Sequence, residues 1–203
     1  MSKGIWDWKL VTLILTSAYL LFGSFLFTKG FTEESVRLII RWSARLSISC
    51  FLLVFGGSAI HKLLQNSFSF WIFRNRKFWG ISFACLHLTH LAALITLQRV
   101  FHPVFEIAAT FSLIVGGGAY CFIIFMLITS FERFRNLLTF EHWKLLHTIG
   151  GYWIFVVFFS SYFKAVFLRG EYWDLLPFSA LLFVLGLRIW NWLNSRKVKS
   201  VSL

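Results

Sequence analysis

Long apolar runs alternate with short polar connections along the whole chain. The runs fall at about 10–28, 38–61, 78–98, 107–130, 145–163 and 175–193. Each is of the length that crosses the hydrocarbon of a bilayer as a helix, roughly 20 residues. Apolar residues are continuous within each run rather than alternating, so the pattern predicts helices and not the strands of a closed barrel. The expected fold is all-α: one polytopic membrane domain over residues 1–203, built as a six-transmembrane-helix bundle. Arg41 and Arg45 interrupt the second run, whose hydrophobic part begins near Leu46. Pro103 and Pro177 each stand near the start of a run, where the missing N–H of proline costs nothing.

The connections are basic. FRNRKFW (73–79) joins the second and third runs, ERFRNLLTFEHWK (132–144) the fourth and fifth, and RGEYWD (169–174) the fifth and sixth. Composition agrees with a membrane protein: 58% of residues are hydrophobic and 14% charged, against about a quarter charged in a soluble domain. The net charge of +12 would suggest nucleic acid in a soluble protein. Here the cations sit at the ends of apolar runs, so they read as topology signals and contacts to anionic membrane lipid, with no nucleic-acid partner. With the N-terminus inside, thirteen of the 20 Lys and Arg residues fall on the inner side. That bias supports both termini in the cytoplasm, and the expected location is the cell's inner (plasma) membrane. Phe25, Leu26 and Phe27 occupy the place where a signal peptide would carry small cleavage residues, so the first run is expected to be a retained helix. Cys50, Cys85 and Cys121 all fall within runs and form no CxxC pair, which suits small packing residues rather than disulfides.

Histidine is the polar residue that the pattern does not explain. His87 and His90 lie three positions apart in FACLHLTHLAAL (83–94), so both face one side of a helix. His87 is ten residues past Lys77, about 15 Å into the bilayer. His142 and His147 bracket the start of the fifth run, while His61 and His102 fall at run ends. An ionisable side chain at membrane depth needs a partner. Imidazole nitrogen suits transition metals and haem iron, and two imidazoles from neighbouring helices can hold a haem from both faces. The competing reading is a hydrogen bond between helices. For His87 and His147 the ligand reading is preferred, with His90 as the reserve ligand, and His61, His102 and His142 are expected at the interface. Gly116–Gly118, in the fourth run, admits two readings: close helix packing, or space for a flat ligand. Arg74, Arg76 and Lys77 serve as inner anchors or as partners of haem propionates. No glycine-rich nucleotide fingerprint follows a strand, so neither a pyridine nucleotide nor a flavin is indicated by motif.

Two segments, RNRKFWGISFACLHLTHLAAL and EHWKLLHTIGGYWIFVVFF, resemble the ferric-reductase-like transmembrane domain family. Within it they are most similar to the MsrQ/YedZ branch, the haem-binding membrane subunits of bacterial methionine-sulfoxide reductase systems. The carrying motifs are Ala84-Cys85-Leu86-His87-Leu88-Thr89 and His142-Trp143-Lys144-Leu145-Leu146-His147. The resemblance implies one or two b-type haems between helices, with His87 and His147 as axial ligands of the iron. It implies electrons taken from a cytoplasmic donor of flavin-reductase type and passed across the membrane, in this branch to a periplasmic molybdenum-containing reductase. The chain would then be an electron-transfer subunit rather than the site of substrate chemistry. It departs from the family pattern at Ser160, where a second histidine is usual, and at Arg41-Trp42-Ser43, where a His-Phe-Thr pattern is usual. Two other classes share these features: a haem-free transporter or assembly protein of the same shape, and a haem reductase acting on ferric chelates, quinone or oxygen.

Overall fold

A computed structural model describes residues 6–102 and 110–201, and side-chain surroundings for 8–102 and 114–195. Every regular element among these residues is helical. The long helices are α1 (Trp6–Lys29), α2 (Glu33–Leu64), α4 (Arg76–Thr96), α5 (Thr110–Ile128), α7 (Phe140–Phe163) and α8 (Leu175–Val201); α3 (Ser67–Arg74) and α6 (Glu132–Arg135) are short. Among the described residues, five helical stretches are long and apolar enough to cross a membrane. The fourth expected run corresponds to α5, whose described apolar part, Ile114–Ile128, is shorter. The start of that run and Pro103 lie outside the described residues. Pro177 is the third residue of α8, as its position in the run predicts.

Local chemistry sets the boundaries. Thr32 caps α2 by accepting from the Ser35 backbone N–H, and the Ser35 hydroxyl returns a contact to the Thr32 backbone. Glu33 and Glu34 add negative charge to the first turn. The helix therefore starts five residues before the apolar run and spans about 48 Å at 1.5 Å per residue. Within the polar stretch after it, Asn66 makes the same reciprocal cap with Ser69, which nucleates α3 where the apolar pattern shows only a connection. At the other end of the bundle, α4 and α7 each run on into a five-residue π-helical turn, Leu97–Phe101 and Lys164–Leu168.

Helix α2 is the hub, touching α1, α3, α4 and α8, while α5 pairs with α7. The core is aromatic. Phe51 and Phe55 of α2 pack with Phe83 of α4 and with Phe155 and Phe158 of α7, around the fully buried Leu86 and Ile154. Gly118 belongs to packing, since a Cβ there would lie 3.2 Å from the Trp153 ring. Gly116 and Gly117 face open space. Of the three thiols, Cys50 is buried and Cys85 half-buried, whereas Cys121 is exposed on α5 and corrects the expectation that all three pack the interior. Its position turns it outward, away from the Ile123 and Ala119 face that meets the core.

Candidate functional site

The site begins with two hydroxyl–imidazole pairs between α2 and α4. Ser47 Oγ lies 3.1 Å from His87 Nδ1, and Ser43 Oγ lies 3.2 Å from His90 Nδ1. The residue order, 43 with 90 and 47 with 87, shows the helices to be antiparallel. Both serines are fully buried, and their size lets the backbones approach.

Hydrogen-bond inventory assigns the protons. The Ile40 carbonyl can only accept, so at 2.9 Å His90 Nδ1 must donate to it. The Ser47 hydroxyl also lies 2.9 Å from the Ala44 carbonyl; with its hydrogen there, His87 Nδ1–H donates to Ser47. Both rings are thus held through Nδ1, and each keeps Nε2 as the nitrogen with a lone pair and no protein partner among the described residues. That arrangement orients a metal-ligating histidine in protein sites.

Both imidazoles line a cleft of about 510 Å³, within the roughly 300–1,000 Å³ range of small-molecule and cofactor sites. The rings stack on each other with centroids 5.2 Å apart. Tyr120 of α5 lies parallel to His87 at 5.2 Å, and Phe158 of α7 meets it edge-on at 5.2 Å. Gly116 and Ala119 line the cleft on α5, so the open space at Gly116 belongs to it.

The mouth of the cleft is cationic. Arg37, Arg41 and Arg45, one turn apart on α2, line it together with Arg169. Arg37 is paired with Glu33, Arg169 with Glu171, and Arg45 with Asp174 through contacts of 2.9 and 3.1 Å. Arg41 has no carboxylate partner among the described residues. The Arg45–Asp174 pair ties the connection before α8 onto the middle of α2, and Tyr162 borders it.

The expected site residues divide into two groups. His87 and His90 share the cleft, and His147 does not line it. His147 Nε2 lies 3.2 Å from Thr129 Oγ1, under the Trp143 ring at 4.4 Å. Measured against the His87 neighbours, His147 lies nine residues further along from Tyr120 through Thr129 and eleven back from Phe158 on α7, about 14 and 16 Å of helix rise. A single ligand in the cleft therefore meets the imidazoles of α4 and not that of α7. Ser161 lines the cleft beside Phe158. Arg74, Arg76 and Lys77 stand at the other end of α4, away from the cleft lining. His142 and His102 are exposed, and His61 is half-buried against Ser69 and Phe73 of α3.

Sequence reasoning missed the serines and the arginine row. The 37, 41, 45 spacing of one helical turn inside an apolar run was the available signal for the arginines. Ser43 and Ser47 carry none, because a serine in an apolar helix ordinarily bonds its own preceding turn. No protein-family model, no curated protein and no solved structure matches the chain.

Proposed function

We propose that this protein is a haem-carrying electron-transfer subunit of the plasma membrane, with haem b held in the cleft by His87 or its neighbour His90. The observation that carries the reading is the pair of α4 imidazoles, each fixed through Nδ1 by α2 and each offering Nε2 to one roomy cleft that Tyr120, Phe158 and Tyr162 help to wall. The residues fit the group. The iron needs a neutral imidazole nitrogen, the macrocycle needs apolar walls and the space at Gly116, and the propionates need cations. Arg41 and Arg45 at the mouth supply those cations better than the basic cluster 74–77.

Bound haem supplies a one-electron couple between ferric and ferrous iron. The chain's own residues do the rest. Ser47 and Ser43 hold the imidazole rings, Phe158 and Tyr120 exclude water, and the arginine row offsets the carboxylate charge. Six spans with both ends in the cytoplasm would turn the cleft mouth toward the outer face, since α2 starts there and α4 ends there. Electrons would then enter from a cytoplasmic flavin-type donor and leave to an acceptor outside, in keeping with the resemblance to the subunits that serve a molybdenum-containing sulfoxide reductase. His147 would lie on the donor side of the haem.

Protein purified from haem-sufficient cells is expected to show a Soret band and α/β bands that sharpen on dithionite reduction. A colourless preparation of folded protein would overturn the reading in favour of a haem-free transporter or assembly protein.

A further inference from the structure

A second polar cluster lies at the opposite end of the bundle, around the last turns of α2. Arg188 of α8 donates from Nη1 to the Phe55 carbonyl at 2.6 Å and from Nη2 to the Tyr152 hydroxyl at 3.2 Å. Its guanidinium lies 4.2 Å from the Phe55 ring centroid. Arg76, the first residue of α4, packs its stem on Gly57, where a Cβ would lie 3.3 Å from Arg76 Cδ. Its guanidinium stacks over Phe73 at 4.4 Å. Two guanidinium side chains thus converge on Phe55–Gly57 of α2, within electrostatic range of each other. Neither has a carboxylate partner among the described residues.

The neighbouring polar groups deepen the imbalance. Among the described residues, Arg188 Nε, Trp79 Nε1, Asn191 Nδ2 and, on α4, Ser82 Oγ are buried with no hydrogen-bond partner. Trp79 is one turn from Arg76 on the same face of α4, and Asn191 is one turn from Arg188 on the same face of α8. Asn75 provides no side-chain cap for α4, which leaves the positive end of that helix beside Arg76. Buried donors in native proteins have partners with few exceptions. Two guanidinium groups held near each other without an acid repel. Two guanidinium groups with no acid beside them select a ligand made of acceptors and negative charge.

We propose that Arg76 and Arg188, with Trp79 and Asn191, bind the phosphate of an anionic lipid headgroup. Phosphate offers several acceptor oxygens in a geometry that guanidinium groups match in pairs. Depth favours the lipid source: α4 begins at Arg76, and Trp71 and Phe68 beside it are exposed aromatics of the kind that mark the bilayer interface. Lipid phosphates lie at that level. The site is separate from the cleft and does not depend on haem.

The test is native mass spectrometry of the detergent-purified full chain with phosphatidylglycerol and phosphatidylcholine supplied together. Wild-type protein is expected to retain phosphatidylglycerol preferentially, and Arg76→Gln/Arg188→Gln to lose that preference by roughly tenfold or more, the cost of one charge-assisted hydrogen bond or greater. Arg74→Gln, one exposed cation away, is expected to behave as wild type. Should the double variant fail to fold, Arg76→Gln and Trp79→Phe singly are each expected to weaken retention. Undiminished preference in folded variants overturns the site. Displacement of the lipid by inorganic phosphate at equal concentration overturns the lipid source and assigns the cluster to free phosphate.

Discussion

At the scale of single residues, the balance between α2 hydroxyls and α4 imidazoles organises the cleft. His87→Ala removes the ring nearest Tyr120 and Phe158 and is expected to lower haem content at least tenfold by pyridine haemochrome. His142→Ala, at an exposed position, is expected to leave it unchanged. Equal loss from both would contradict the distinction between cleft and edge. Ser47→Ala leaves His87 in place and takes away the acceptor of its Nδ1 proton. It is expected to retain haem while shifting the midpoint potential, because the hydrogen bond behind a ligating imidazole sets its basicity. The imidazoles were visible in the sequence because nothing apolar explains them. The arginines were visible only as interruptions, since their common purpose depends on a cleft formed by α5 and α7. His147 shows what spacing along one helix leaves open, namely which neighbouring element supplies a contact, here Thr129 just past the end of α5.

At the scale of elements, glycines separate contacts that are tight from those that are open. A Cβ at Gly150 of α7 would lie 2.6 Å from Met126 Sδ and 3.1 Å from Phe122 on α5. Gly150→Ala is therefore expected to destabilise the α5–α7 pair by about 1–3 kcal/mol. Gly117→Ala, facing open space, is expected to be neutral or mildly stabilising, since glycine within a helix costs up to about 1 kcal/mol relative to alanine. Thermal unfolding in one detergent compares the two directly. Asp174→Asn is expected to cost about 1–2 kcal/mol in the same assay, by leaving the partly buried Arg45 guanidinium without its carboxylate. Helix positions were legible from apolar run lengths, because a span of lipid thickness leaves little choice of element. Helix ends were less so. The start of α2 and the presence of α3 are set by Thr32–Ser35 and Asn66–Ser69 caps inside polar stretches, where the apolar pattern is silent.

At the scale of the molecule, α2 carries a burden that its composition hides. It contacts α1, α3, α4 and α8, and its length of about 48 Å exceeds the roughly 30 Å of bilayer hydrocarbon. Single-cysteine labelling with a membrane-impermeant reagent is expected to place Asn136 on the side of the N-terminus and Gly170 on the other. Labelling of both from one side would break the proposed six-span topology.

The hydrogen bonds joining α2 to α4 run between protein groups alone, on the same histidines that the proposed haem would need. Such a scaffold is ready before anything is loaded into it. Cells starved of porphyrin should accordingly accumulate the polypeptide in their membranes at undiminished level, and later supply should convert that pool without fresh synthesis.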